Sequence, residues 1–375
     1  MEAPEPAPGT GNGPPGEPTG SAGLLAGTRV LDLTVWRPGP YATQLLAEIG
    51  AEVLKVEPPG GDPMRAYPDL FASLNANKRS VVLDLKDGAG RARLLELAAD
   101  ADVVIEGFRP GVAERLGAGY EHVRAVNPRA IYCSISGMGQ DGPLRLAPGH
   151  DLNYQAWAGA LAPEGGPLAI PALPIADLAG GMAAAFAVCA AAVRRLRTGE
   201  GERIDVAMAD ILATWTGASR PQAAHVDPSL RGVPGYGPFA TADGGTVVLG
   251  VLTEDHFWRS LCDVVGLADH RDLRFGERMG RLPELQDLLA GAIGLRNRDD
   301  VVAELLAADV PVAPVLDRSG MLGLEHFRRR GVVTSDPWSE VATGYPVRFG
   351  RHPAARTAPP PELNAHRGLG FAPRP

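Results

Sequence analysis

Residues 29–57 read RVLDLTVWRPGPYATQLLAEIGAEVLKVE. The two ends, 29–33 and 52–57, are short runs rich in valine and leucine, the composition of strands. Between them Leu45, Leu46 and Ile49 recur on one helical face over 41–49, and Gly50 follows as a stop. Strand, helix and strand in such close succession make a βαβ unit, which joins parallel strands. The alternation continues downstream: 80–85, 103–106 and 130–135 read as strands, and 90–98 and 111–116 as helices. Val- and Ile-rich strands separated by helices imply a parallel sheet covered on both faces, so the fold class is α/β.

Farther along, 178–196 predicts a long helix closed by Thr198-Gly199, and 204–215 (IDVAMADILATW) predicts another. A loop-rich stretch, 221–238, separates these from a compact unit. That unit has a strand at 239–242, an Asp243-Gly244-Gly245 hairpin turn, a strand at 246–251 and a helix at 254–267. The expected organisation is a Pro/Gly-rich disordered tail (1–23), a large α/β domain (24–218), a smaller α+β domain (219–318) and a return segment (319–375). The stretch 310–315 and the proline-rich C-terminus are expected to pack back on the large domain.

Composition narrows the function. The 375 residues are 45% hydrophobic and 21% charged with a net charge of −8, and no basic helix offsets it, which argues against nucleic-acid partners. No stretch reaches the roughly 18 uninterrupted apolar residues of a spanning helix, and the N-terminus lacks the basic and apolar regions of a signal peptide. Three scattered cysteines, Cys133, Cys189 and Cys262, without CxxC spacing, suggest a reducing cytoplasm and neither disulfides nor metal sites. Gly137 to Gly142 spells GxGxxG after a strand, but Pro143 and Pro148 follow where a dinucleotide fingerprint would open a helix, so no nicotinamide cofactor is expected.

Several segments carry a likeness to a known family: RPGPYATQLLAEIGAEVLKVEPPGGDPMR (37–65), LNANKRSVVLDLK (74–86), EGFRPGVAERLG (106–117), NPRAIYCSISGMGQDGP (127–143) and GHDLNYQAWAGAL (149–161). In this order and spacing the chain resembles the class III CoA-transferases and alpha-methylacyl-CoA racemases. The resemblance implies a Rossmann-like large domain, a small domain and an intertwined homodimer acting on an acyl-CoA thioester, with CoA as part of the substrate and no prosthetic group or metal. It aligns Lys55, Asn77, Lys78, Gly107, Phe108, Arg115 and Leu116 with positions that contact CoA. Phosphates need cations and backbone donors, and Lys55 and Lys78 are two of only three lysines; each alone also reads as a surface charge.

Asp177, ahead of LAGGMAAAFAVCAAAVRRL, reads by itself as a plain N-cap. The resemblance aligns it with the carboxylate that both branches use, and Gly180 and Gly181 would let a ligand approach the helix start. His150, alone an ordinary loop histidine, sits in GHD-x-NY, which is similar to the racemase branch, where this histidine is an acid/base group. Glu254 corresponds to a glutamate that orients that histidine across the subunit boundary, with Asp255 and Asp151 as alternatives. His150 favours a racemase inverting the α-carbon of a 2-methylacyl-CoA by two-base proton transfer with Asp177. The alternative is a CoA-transferase working through an aspartyl anhydride on Asp177. A non-catalytic acyl-CoA-binding paralogue is a third reading.

Overall fold

A computed structural model describes residues 23–161, 170–219, 232–334, 338 and 343–373. The disordered tail expected over 1–23 therefore lies, but for Gly23, outside the described residues, as does most of the 221–238 stretch. The described chain forms two compact units, one running to Ser219 and resuming at Arg328, the other ending at Phe327.

The first unit is built on a six-stranded sheet in the order β3-β2-β1-β4-β5-β6. Its strands are β1 (Arg29–Leu33), β2 (Glu52–Glu57), β3 (Lys78–Val82), β4 (Val103–Glu106), β5 (Ile131–Ser136) and β6 (Glu202–Ala207), and every neighbouring pair is parallel. The expected α/β class is thus the observed one. Successive strand residues point to opposite faces. Val30, Val53, Val103 and Ile131 pack under α1 (Pro38–Glu48) and later helices. Leu31, Leu54, Val104 and Tyr132 pack under α2 (Gly88–Asp100) and α3 (Tyr120–Val126).

One strand departs from the sequence reading. Residues 202–207 form β6, and helix begins only with Met208–Ser219. As the sheet's edge strand, β6 exposes Glu202, Arg203 and Asp205 and buries only its last two residues, so it lacks the apolar run that marks the inner strands.

The helix read from 178 starts earlier, spanning Ile175–Thr198, and ends on Gly199 at φ 75°. Its length and composition would suffice to cross a membrane. Here its small residues, among them Ala176, Ala184 and Val188, form a buried face in the core beneath the sheet. Gly180 and Gly181 serve that packing, in place of the ligand approach that the sequence suggested for them. A Cβ on Gly181 would meet the Pro38 carbonyl oxygen at 2.6 Å, and one on Gly180 would meet Met208 at 2.6 Å.

The second unit pairs strands Tyr236–Ala240 and Thr246–Gly250 across the expected hairpin. The segment 310–315 does not return to the first unit. It supplies a third antiparallel strand, Val312–Pro314, beside Thr246–Gly250, because Val312 and neighbouring Val310 belong to that unit's core.

Candidate active site

In this strand order the chain reverses direction between β1 and β4, and the loops leaving their carboxyl ends diverge there. Open α/β sheets bind ligands at this point. A cleft of about 520 Å³ opens there, lined by Trp36 and Gly39 after β1, Gly107 and Arg109 after β4, and Ser136 and Met138 after β5. His150, Tyr154 and Asp177 complete its wall.

Asp177 lies in the first turn of the helix Ile175–Thr198, as its third residue rather than its N-cap. Its own backbone N–H donates to Asp151 Oδ1 at 3.0 Å. Arg37, at the head of α1, brings its Nε to 3.9 Å from Asp177 Oδ2. Burial raises Asp177 to about 6, and the Asp151 carboxylate pushes the same way, against the pull of Arg37 and His150. Asp177 is therefore a partly desolvated carboxylate, ionised at neutral pH and facing open space, which is what a nucleophile or a base requires.

His150 is exposed at the start of the helix Asp151–Trp157, where its N–H donates to Asn153 Oδ1 at 3.0 Å. Asp151 directs one oxygen to the Asp177 N–H and the other to Gln155 Nε2, so its carboxylate is engaged away from the imidazole. Glu254 belongs to the second unit, where it precedes the helix Asp255–Val265 and accepts the Leu252 N–H at 3.2 Å. Asp255 is held by Arg274 and by the buried Arg278.

Gly137 approaches Tyr154 so closely that a Cβ would lie 2.1 Å from its ring. The GxGxxG stretch is a loop, tied to β6 by the Gln140 N–H donating to Asp205 Oδ2 at 2.9 Å, and no helix opens before Asp151. Ser136 went unnoticed in the sequence. Its hydroxyl is buried at the cleft wall with no partner among the described residues.

A second cavity of about 490 Å³ adjoins the first, and Val35 and Phe108 line both. Its wall is mostly apolar, with Leu33, Val56, Leu85 and Leu116, and Lys86 stands at it as an exposed cation. Of the expected CoA contacts, Gly107, Phe108 and Leu116 line one cavity or the other. Arg115 is exposed beside Leu116, its Nη1 donating to the Gly111 carbonyl.

Lys55, Asn77 and Lys78, also expected as CoA contacts, line neither cavity. Lys55 is fully buried, pairing with Asp62 at 2.9 Å and donating to the Thr34 carbonyl at 2.8 Å. Lys78 is buried against Asp32, Thr43, Asn75 and the Pro40 carbonyl. Burial and the other lysine act against its charge, Asp32 for it, and the balance lowers it. Asn77, at φ 62°, uses its side chain to hold the returning backbone at Ala355, Thr357 and Ala358. Among the described residues, the lysine whose ammonium meets no partner is the third one, Lys86. The signal was its place past the end of β3, on the carboxyl side of the sheet where ligands bind.

The site thus combines a carboxylate at a cleft with an apolar cavity beside it that carries an exposed lysine, on an α/β sheet. The chain belongs to CoA-transferase family III, whose model matches residues 25–367. It is 35% identical over 340 residues to acetyl-CoA:oxalate CoA-transferase of Acetobacter aceti, covering 84% of this chain and 87% of that one. It is 30% identical over 371 residues to succinyl-CoA:glutarate CoA-transferase of Mus musculus, covering 91% and 84%. Among solved structures, a CAIB/BAIF family protein from Brucella suis superposes with a TM-score of 0.81 at 28% identity, covering 92% of this chain and 98% of that one.

Proposed function

We propose that this protein transfers CoA between carboxylic acids with Asp177 as the nucleophile. The observation that carries this reading is Asp177 itself, ionised at neutral pH, half-buried at the cleft and flanked by Arg37. In the first step an Asp177 oxygen attacks the donor thioester carbon, the C–S bond breaks, and CoA leaves as thiolate. The thiolate then attacks the aspartyl carbonyl of the anhydride and releases the donor acid, leaving CoA on Asp177. The acceptor acid reverses both steps and regenerates the carboxylate. The curated relatives named above are transferases, so the racemase that His150 favoured in the sequence gives way to transfer.

The apolar cavity with Lys86 would take the nucleotide end of CoA and the cleft its acyl end, with Phe108 between them. The exposed guanidinium groups of Arg109 and Arg145 at the cleft suit an acyl group with a second carboxylate. The relatives named for oxalate and glutarate support a short dicarboxylic acid. We also infer a cytoplasmic homodimer. Met182, Phe186, Val193 and Leu196 follow one another at near-helical spacing and are all exposed on the described chain, an apolar stripe that a second copy would cover. By the family resemblance, Glu254 would act across the subunit boundary of such a dimer.

The test is the full chain with acetyl-CoA or succinyl-CoA and oxalate, succinate or glutarate, followed by mass spectrometry of new thioesters. Transfer should appear and vanish in Asp177→Ala. His150 at the same cleft supports proton transfer as a second reading. A chiral 2-methylacyl-CoA in deuterated water without acceptor decides it: deuterium uptake at the α-carbon that His150→Ala abolishes, with no CoA transfer to any acid, would overturn the transferase.

A further inference from the structure

We propose that Arg37 is the binding residue for the acceptor carboxylate, made available when Asp177 is acylated. The inference rests on the transferase reading above.

Arg37 is a cation beside the Asp177 carboxylate. Among the described residues its ion pair is with Asp177 alone, at 3.9 Å, beyond the span of a hydrogen bond. The pair is partly shielded, with side-chain exposures of 30% for Arg37 and 19% for Asp177, so its charges interact more strongly than in bulk water. Conversion of Asp177 to an anhydride or thioester removes its negative charge and leaves Arg37 in that shielded place without a counter-ion. Each acid that enters or leaves brings one negative charge on its reacting carboxylate, which must lie against the Asp177 carbonyl. A guanidinium within 4 Å of that carbonyl is positioned to hold it. The anion thus passes from Asp177 to the free acid while the charge beside Arg37 is conserved. The other charged groups acting on Asp177 are Asp151, which would repel the acid, and His150.

The backbone presents Arg37 rigidly. Trp36, immediately before it, has φ 64°, a left-handed conformation that a bulky residue adopts only when its surroundings impose it. The imposing groups are identifiable. Trp36 N–H donates to Asp62 Oδ1 at 3.3 Å, and the buried Lys55 that pairs Asp62 also binds the Thr34 carbonyl. The Lys55–Asp62 pair therefore fastens both sides of the turn. Past it, the Arg37 carbonyl accepts the Tyr41 N–H at 2.9 Å and starts α1.

The experiment compares wild type, Arg37→Gln and Arg37→Lys at pH 8, where Asp177 is ionised in all three. Donor half-reactions are followed as CoA mass added to Asp177 from succinyl-CoA alone. Full turnover is followed with oxalate, succinate and glutarate. We expect Arg37→Gln to raise the acceptor KM at least ten-fold, with less than three-fold change in the rate of CoA attachment, and Arg37→Lys to recover part of the acceptor affinity. An unchanged acceptor KM in Arg37→Gln overturns the proposal, as does an equal loss in both half-reactions. Absence of CoA attachment in the wild type would instead sink the transferase reading and this inference with it.

Discussion

The backbone N–H of Asp177 donates to Asp151 Oδ1 at 3.0 Å, setting a second carboxylate against the reactive one. That geometry anchors the first turn that carries Asp177 and at the same time raises Asp177 through like charge. Asp151→Asn keeps an oxygen to accept the N–H but removes the charge. The acid limb of kcat/KM, which should fall near pH 6 in the wild type, should then move to lower pH. Activity at pH 5 relative to pH 8 should rise roughly a few-fold. Arg37→Gln should move the same limb upward, since Arg37 favours the ionised form. A pH profile of kcat/KM for each variant checks both directions.

The three lysines should separate into binding and folding roles. Lys86→Ala removes an exposed cation at the apolar cavity. It should raise KM for acyl-CoA by roughly three- to ten-fold, leave kcat nearly unchanged, and matter less as salt increases. Lys78→Met instead strands the buried Asp32 carboxylate and should cost about 3–5 kcal/mol of stability. Initial rates at two ionic strengths, together with thermal denaturation, read out the contrast. Equal losses of affinity in both variants would count against the placement of Lys86.

The strands at 29–33, 52–57 and 103–106 were legible with their ends because inner strands of a parallel sheet are apolar on both faces. The edge strand Glu202–Ala207 was not, because solvent on its outer side admits Glu202, Arg203 and Asp205, and the alternation merges into the helix that follows. Asp177 and His150 could be singled out from the sequence only through the family resemblance, since alone each reads as an ordinary helix cap or loop residue. The ligand cations could not be sorted, since a lysine's role depends on which carboxylate folds onto it. Asp32 lies 46 positions from Lys78 and touches it only in space, while Asp62, just past the strand that carries Lys55, is turned back onto that lysine by the loop between them. Gly180 and Gly181 misled for the same reason, as their neighbours come from α1 and the chain near Met208.

Gly181 tests that last point. A Cβ there would lie 2.6 Å from the Pro38 carbonyl oxygen and 2.8 Å from Tyr41 Cδ1, the former a backbone atom that cannot swing aside. Gly181→Ala should push α1 off the long helix and cost about 1–3 kcal/mol. Arg37 heads α1, so its distance to Asp177 should lengthen and activity should fall with stability. Gly217, on an exposed helical position with nothing within 4 Å of its Cβ site, is the control. Gly217→Ala should be neutral or stabilising by up to about 1 kcal/mol. Melting temperatures of the two variants measure the difference, and equal effects would refute the packing argument.

Glu106 closes β4 as a buried carboxyl directly beneath the loop that carries Phe108. Its Oε2 accepts the Phe108 N–H at 2.8 Å. Burial pushes it up to about 7, offset in part by the hydrogen bonds from Ser134 and Phe108, with Asp205 and Glu114 adding to the rise. The folded chain thus holds this proton more tightly than the unfolded chain, where the carboxyl titrates at its ordinary value of 4.5. The stabilisation from holding it is complete below that value and is lost as pH rises through about 7. Glu106→Gln retains a carbonyl for the Phe108 N–H and has nothing to titrate. Its stability relative to wild type should therefore improve between pH 5 and pH 8, by at most on the order of 3 kcal/mol. Every other titrating group is common to both proteins and largely cancels in the difference. Urea denaturation at pH 5, 6.5 and 8 gives the comparison, and a difference that stays flat across the three would show that Glu106 is ionised throughout.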